Sequence, residues 1–304
     1  MIKEEIINNI GFITIKNDSH LTIVLSNLGA SIYAIYYDDS LMTLSLKSKD
    51  DFANKELYHG KTIGPVCGRI LNGKINNFQY DLNEKNVTRH GGDNGLSNQI
   101  FDYEYHEKND TISVIFAFSD FVVKYEIDRE DDSFVVDYFY KGKPQPVSLT
   151  NHTFFILGDG FDHLSFKVSA DYFVEYDENT LVPLREKEIL PCLDFSEGKC
   201  LIKDINDLYL MDSRTKGYDH YLNFSKEKCL SLKSRFYQLN ITTSFNGIHI
   251  YSDNYDFKEE TIDHRTGLCK ALAVEPQDSP LERKIYDKEN NYHRFIKYCF
   301  DKIQ

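Results

Sequence analysis

The sequence predicts an all-β protein, a large antiparallel β-sandwich, on three observations. Short apolar runs alternate with polar residues at a period of two, turn residues separate these runs, and helical periodicity is sparse. Composition agrees: 21 Tyr and 21 Phe, with no Trp and only 3 Met among 304 residues, suit pleated and half-buried surfaces. Most of these rings are expected in the core, because aromatics dominate core area, and a minority to line a pocket.

The elements follow in order. Phe12-Ile13-Thr14-Ile15 reads as a strand that stops at Asn17-Asp18-Ser19, and Leu21-Thr22-Ile23-Val24-Leu25 as the next. Ser31 to Tyr37 runs apolar and aromatic into Asp38-Asp39. Residues 111–118, 121–127 and 134–140 form three further runs, the last two divided by the polar turn from Arg129 to Ser133. Leu164 to Ala170 alternates almost without exception, Val147 to Thr150 reads as a buried strand, and Ala271-Leu272-Ala273-Val274 as an apolar one. Only 51–57 and 202–211 hold enough helical pattern for a turn or two. No low-complexity linker, hinge or fixed-period repeat divides the chain, so residues 1–304 are expected to form a single domain.

The bulk numbers exclude several functions. A net charge of −13 argues against a nucleic-acid partner, which requires a basic face. Six scattered cysteines show no Cys-x-x-Cys pair or zinc-type spacing, so no metal is expected. The start, Met1-Ile2-Lys3-Glu4-Glu5, is charged and lacks the apolar segment of a secretory signal, and no apolar run is long enough to span a bilayer. Together these features predict a cytoplasmic protein with no membrane partner.

Two segments carry the candidate chemistry. Thr150-Asn151-His152-Thr153-Phe154-Phe155 offers an imidazole that modest tuning turns into a proton donor near neutral pH. Ala273-Val274-Glu275-Pro276-Gln277 offers a carboxylate on an apolar strand, where burial raises its pKa and makes it the stronger base once ionised. Taken singly, His152 fits a core histidine and Glu275 a solvent-facing strand end. Arg69, within Gly68-Arg69-Ile70-Leu71-Asn72-Gly73, brings a fork of fixed donors suited to hydroxyls or a developing oxyanion. His90 lies in a glycine-rich turn, Arg89-His90-Gly91-Gly92, which lacks the pattern of a phosphate cradle. Asp219, in Tyr218-Asp219-His220, supplies an acceptor of the kind that anchors sugar hydroxyls.

Taken in order, these five segments resemble the aldose 1-epimerase (galactose mutarotase) family, with weaker echoes at Leu181-Val182-Pro183 and at Gly247-Ile248. The resemblance spans nearly the whole chain and implies a galactose mutarotase-like supersandwich with an open sugar cleft and no cofactor. It implies catalytic roles for Glu275, as the base that takes the anomeric hydroxyl proton, and for His152, as the acid that protonates the ring oxygen. Arg69, Asn72, His90 and Asp219 are similar to the family's substrate-binding residues. The implied substrate is a free hexose such as galactose or glucose, handled by a monomer or homodimer. The sequence departs from the family's pattern at Gly73-Lys74, at Ile100-Phe101-Asp102-Tyr103 and at a shortened loop around Ser119-Asp120; these are read as changes at the cleft rim. Two other readings stay open: a non-catalytic carbohydrate-binding protein of the same fold, and an epimerase of a phosphorylated hexose drawing on Lys61, Lys74 and Arg89. A glycosidase fits less well, because the pair is a His and a Glu and not two carboxylates.

Overall fold

The alternating runs form antiparallel strands in three principal sheets. The computed structural model describes residues 1–212 and 216–303. A nine-stranded sheet orders Asp102–Glu107, Thr111–Phe118, Phe121–Asp128, Ser133–Tyr140, Tyr292–Lys302, Tyr237–Thr243, Cys229–Lys233, Ser165–Val168 and Lys199–Cys200. A six-stranded sheet orders Phe154–Phe155, Leu272–Gln277, Gly247–Tyr251, Asp219–Phe224, Ala170–Tyr176 and Pro183–Glu188. A five-stranded meander runs in chain order from Ile2–Ile7 through Ile10–Lys16, Leu21–Ser26 and Ser31–Tyr37 to Ser40–Leu41. The galactose mutarotase-like sandwich expected from the sequence is present.

Period-two alternation does what its physics requires. Phe121–Asp128 alternates buried and half-buried positions along its whole length. Its inward Val123 and Tyr125 face Phe116 and Val114 on one side and Tyr138 and Val136 on the other. Fully burying such side chains contributes roughly 1.5–3 kcal/mol each. One continuous hydrophobic cluster takes residues from all three sheets, including Ile23, Val136, Ile241, Ile248 and Val274. The Tyr125 hydroxyl, buried within it, donates to the Ala30 carbonyl at 2.8 Å, which offsets its desolvation.

Two expectations are corrected in detail. Val147 to Thr150 is not one strand: only Thr150–Asn151 pairs as one, with Thr62–Ile63, while Ser148 makes a lone parallel bridge to Val66. The alternating run from Leu164 to Ala170 belongs to two sheets, because the chain changes sheet at Ser169, between Ser165–Val168 and Ala170–Tyr176. Alternation survives the crossing since Leu164, Phe166 and Val168 enter the main core and Ala170 packs against it. The two segments read as a helical turn or two form just that, 3₁₀ turns at Asp51–Ala53 and Leu201–Lys203 and a short α-helix at Leu208–Asp212.

The strand that matters for function is Leu272–Gln277, in which all six residues are buried. Leu272 and Val274 point into the main core, so alternation turns Ala273, Glu275 and Gln277 to the opposite face. Pro276 cannot donate to a ladder, yet it is tolerated in this central strand. The neighbouring Phe154–Phe155 strand ends opposite Ala273. Beyond that point the Pro276 carbonyl is instead taken by the Thr150 hydroxyl at 2.8 Å.

Candidate active site

Strand register builds one wall of a cleft. Glu275 stands directly across from His249, which in turn lies opposite Tyr221. Asp219 pairs with Tyr251, placing it diagonal to His249 and within side-chain reach on the same face. The His249 Nε2 and Asp219 Oδ1 atoms are 2.6 Å apart, and the Tyr176 hydroxyl lies 3.4 Å from His249 Nδ1.

The facing wall is held by backbone bonds around His152. The His152 amide donates to the Lys61 carbonyl at 3.0 Å, and the Gly60 amide donates to the His152 carbonyl at 2.8 Å. Asn151, fully buried, donates from Nδ2 to the Gly60 carbonyl at 2.8 Å and accepts from the Thr153 hydroxyl. The His152 ring is packed between Tyr58, near-parallel at 6.0 Å, and Phe154 at 4.9 Å. Its Nε2 lies 3.5 Å from Glu275 Oε1, while Nδ1 has no hydrogen-bond partner among the described residues. The acid and base expected from sequence therefore meet, in a site closed to most solvent on both sides.

His90 reaches the same place through a tight turn. Its amide donates to the Gly68 carbonyl at 2.9 Å, and its ring lies 5.7 Å from that of His152. Gly91 is obligatory here: it has φ +88, and a Cβ would lie 2.1 Å from the Gly64 carbonyl oxygen. Arg69 enters from the adjacent strand, with its Nε donating to Glu84 Oε2 at 2.9 Å. Arg69, His90, His152, Asp219 and Glu275 all line one cleft of about 330 Å³, a volume typical of small-molecule sites.

Asn72 is not brought there. It is exposed, at φ +52 in the turn after Arg69–Leu71, and its carbonyl accepts from Gln79 Nε2 at 3.0 Å. Its side chain is one that tolerates this left-handed geometry, which accounts for an Asn at that spot. The three departures from the family's pattern also lie away from the cleft lining: Lys74 in an exposed hairpin, Ile100 on the surface, and Ser119 at the turn between two strands of the nine-stranded sheet. They are not changes at the cleft rim. Of the lysines considered for a phosphate, Lys61 is buried and donates to the Asn54 carbonyl at 3.1 Å, and neither it nor Lys74 lines the cleft.

Burial governs the titration of the pair. It pushes Glu275 up to about 8, with the Asp219 charge adding to the rise and His249 opposing it. Burial likewise pushes His152 down to about 3, assisted by the positive charge of His249. His90 is held well below the usual histidine range, first by burial and then by His152. For Asp219 burial works upward, but the His249 hydrogen bond and charge outweigh it and leave the carboxyl lowered. The same contact raises His249 against the effect of its own burial. The His152–Glu275 pair thus holds a single proton over the middle of the pH scale, and the Asp219–His249 pair is an ionic one.

His249 escaped the sequence reading. Its only signal is its place two residues after Gly247, on the polar phase of a strand whose Ile248 and Ile250 are core. Tyr58, Tyr176 and Tyr251 also line the cleft, and nothing in the sequence separates them from the many core tyrosines. Among the described residues, no group of three or more His, Cys, Asp or Glu side chains is arranged to hold a metal ion, and no helix is long and apolar enough to cross a membrane.

The fold and the site define the class of structure: an antiparallel sandwich whose aromatic-walled cleft holds a buried His152–Glu275 pair. The chain belongs to the aldose 1-epimerase family, whose model matches residues 11–290. A Lactobacillus helveticus aldose 1-epimerase is 28% identical over 96 residues, which is 30% of this chain and 74% of that protein. In structure the chain resembles a galactose 1-epimerase from Lactobacillus acidophilus, with a TM-score of 0.88 at 23% identity across 100% of both chains. It also resembles a GalM/aldose epimerase homologue from C. elegans, with a TM-score of 0.82 at 25% identity over 97% of this chain and 100% of the other.

Proposed function

We propose that this protein is a mutarotase, interconverting the α and β anomers of a free hexose such as galactose or glucose. The observation that carries the reading is the buried His152 Nε2 and Glu275 Oε1, 3.5 Å apart at the base of the cleft. Such a pair can address the two adjacent oxygens of one hemiacetal carbon. In the working form the shared proton sits on His152 and Glu275 is a carboxylate. Glu275 takes the proton of the anomeric hydroxyl as His152 gives its proton to the ring oxygen, and the C1–O5 bond breaks. The aldehyde turns about C1–C2, the O5 hydroxyl adds to the other face, and both protons return. No net proton is consumed, as an isomerisation requires.

Arg69, His90 and Asp219 are assigned to the sugar hydroxyls, the first two as donors and the last as acceptor. A free sugar is favoured over a phosphorylated one because the two cleft arginines already have carboxylates: Glu84 for Arg69 at 2.9 Å and Glu56 for Arg89 at 3.7 Å. The charge of −13 supports action without a nucleic-acid partner, and the same reading takes the protein as a cytoplasmic monomer or homodimer. Polarimetry on freshly dissolved α-glucose and α-galactose tests the reading, with relaxation expected well above the buffer rate. Relaxation at the buffer rate for every common aldose refutes it.

A further inference from the structure

The ribbon that carries Arg69 is weakly held by its own pairing. Arg69–Leu71 and Val87–Arg89 are strands of three residues each, and they form a separate two-stranded sheet. Isolated two-stranded ribbons are marginal in water. Arg69 also stands directly opposite Arg89, and like charges facing each other across a ladder are destabilising. Glu84 offsets that repulsion at 2.9 Å and Glu56 at 3.7 Å. Glu84 belongs to the ribbon's own loop, however, and the Glu56 side chain is 83% exposed, so neither ties the ribbon firmly to the sandwich. Its small apolar cluster of Val66, Ile70 and Ile75 is separate from the main core.

The tie comes from the far end of the chain. Arg283 follows the strand of Glu275, Leu272–Gln277, and reaches back 216 positions to donate from Nη1 to the Cys67 carbonyl at 3.2 Å. The next residue, Gly68, has φ +73, and a Cβ there would meet only Arg283 Nη2, at 3.8 Å. Little packs on that face of Gly68, so hydrogen bonds on either side of it set its position. The Gly68 carbonyl accepts from the His90 amide at 2.9 Å, and Arg69 follows directly in the chain. The orientation of the Cys67–Gly68 peptide therefore decides where both Arg69 and His90 stand. The segment leading to His152 meets the same point. The Cys67 amide donates to the Ser148 carbonyl at 2.9 Å, and the Val147 amide to the Lys284 carbonyl at 3.2 Å.

A neutral donor could prop a carbonyl at less cost. Arg283 Nη2 is sealed from water and has no hydrogen-bond partner among the described residues. Burial lowers the guanidinium's pKa, and the groups that favour its charge are Cys67, Tyr176 and Tyr80, none of them a carboxylate. A buried charge without an opposite partner is expensive. Departures of this kind from what stability alone favours are found where a site needs fixed geometry.

We propose that Arg283 is a positioning residue for the hydroxyl-binding side of the cleft. Its bond to the Cys67 carbonyl fixes the Cys67–Gly68 peptide and, through that peptide, Arg69 and His90. The proposal rests on the mutarotase reading, which assigns those two side chains to sugar hydroxyls. Arg283 does not itself line the cleft. Hydroxyl contacts are made in the ground state and the transition state alike, so losing their alignment raises KM more than it lowers kcat.

Arg283→Met keeps most of the side-chain length and removes every donor. With glucose and galactose its KM is expected to rise at least tenfold, the loss in kcat/KM lying in KM rather than in kcat. Arg283→Lys supplies one charged amine without the planar fork, and its KM is expected to fall between those of wild type and Arg283→Met. A lower melting temperature with KM within twofold of wild type marks a merely structural role and overturns the proposal. A loss confined to kcat, or a lysine variant no better than the methionine one, overturns it too. If Arg283→Met does not fold, Arg283→Lys decides: a KM raised at least threefold upholds the proposal and one within twofold overturns it. Any of these failures, with wild type turning over an aldose, leaves the mutarotase reading intact. Calorimetric binding covers the remaining cases. If no aldose is turned over but wild type binds glucose or galactose, and Arg283→Met weakens that binding at least tenfold, the positioning role stands and the catalytic reading falls. If wild type neither turns over nor binds any aldose, both are overturned.

Discussion

Replacing Glu275 with Gln separates the cost of the buried carboxyl from its proposed use. Glu275 is 3% exposed, and its pKa rises from 4.5 to about 8, first through burial and then through the charge of Asp219. At about 1.4 kcal/mol per pH unit, ionising it in the folded protein costs up to about 5 kcal/mol more than in the unfolded chain. The sign follows from the raised value. The native state binds the proton more tightly, so this group's contribution to stability is full below about 4.5 and is lost as pH rises through about 8. Glu275→Gln keeps the shape and has nothing to ionise. Relative to the wild type it is therefore expected to gain a few kcal/mol between pH 5 and pH 9, read as a melting temperature several degrees higher at the alkaline end. Over the same range mutarotation should fall at least 10²–10⁴-fold, the usual worth of a positioned acid or base. Thermal unfolding at pH 5, 7 and 9, paired with polarimetry, measures both. A stability difference that does not change with pH refutes the desolvation argument, and a fully active variant refutes the assignment of the base.

Three further outcomes follow from the same geometry. Because the His152–Glu275 pair works with one proton, with His152 pushed down to about 3 and Glu275 up to about 8, the mutarotation rate should be level from pH 5 to 7 and decline above about 8; an inflection at the ordinary histidine value near 6.5 contradicts this. His249→Asn removes the positive charge that holds Glu275 down and deprives Asp219 of its 2.6 Å partner, so the alkaline limb of the rate profile should move to higher pH while KM rises; a limb that moves to lower pH counts against the ionic Asp219–His249 pair. Gly91→Ala forces a Cβ to within 2.1 Å of the Gly64 carbonyl at φ +88, and should cost at least about 2 kcal/mol in urea unfolding; an unchanged midpoint shows that the turn carrying His90 is not so confined.

The legible parts of the sequence are those where one residue's neighbours along the chain are also its environment. Phe121–Asp128 and Ser133–Tyr140 read correctly because period-two alternation is the local imprint of a sheet with one face in the core. Thr150–Asn151 was less legible since its buried character comes from Gly60, Thr62–Ile63 and Pro276, distant segments that pair with it or take its hydrogen bonds. His249 gave no warning because a single polar residue on a strand looks alike whether it faces water or Asp219. Asn72 misled in the opposite direction. It lies three positions after Arg69, but the intervening turn carries it out to solvent.

Sequence by itself determined the antiparallel sandwich and singled out His152 and Glu275 as the candidate acid and base, because alternation and motif chemistry are written along the chain. Tertiary structure alone decided that His152 and Glu275 come within 3.5 Å and that burial drives their pKa values to opposite ends of the scale. It decided too that His249 joins Asp219, and that Arg283 reaches back to the Cys67 carbonyl. Distance and desolvation arise only where separate strands meet, and no linear pattern encodes them.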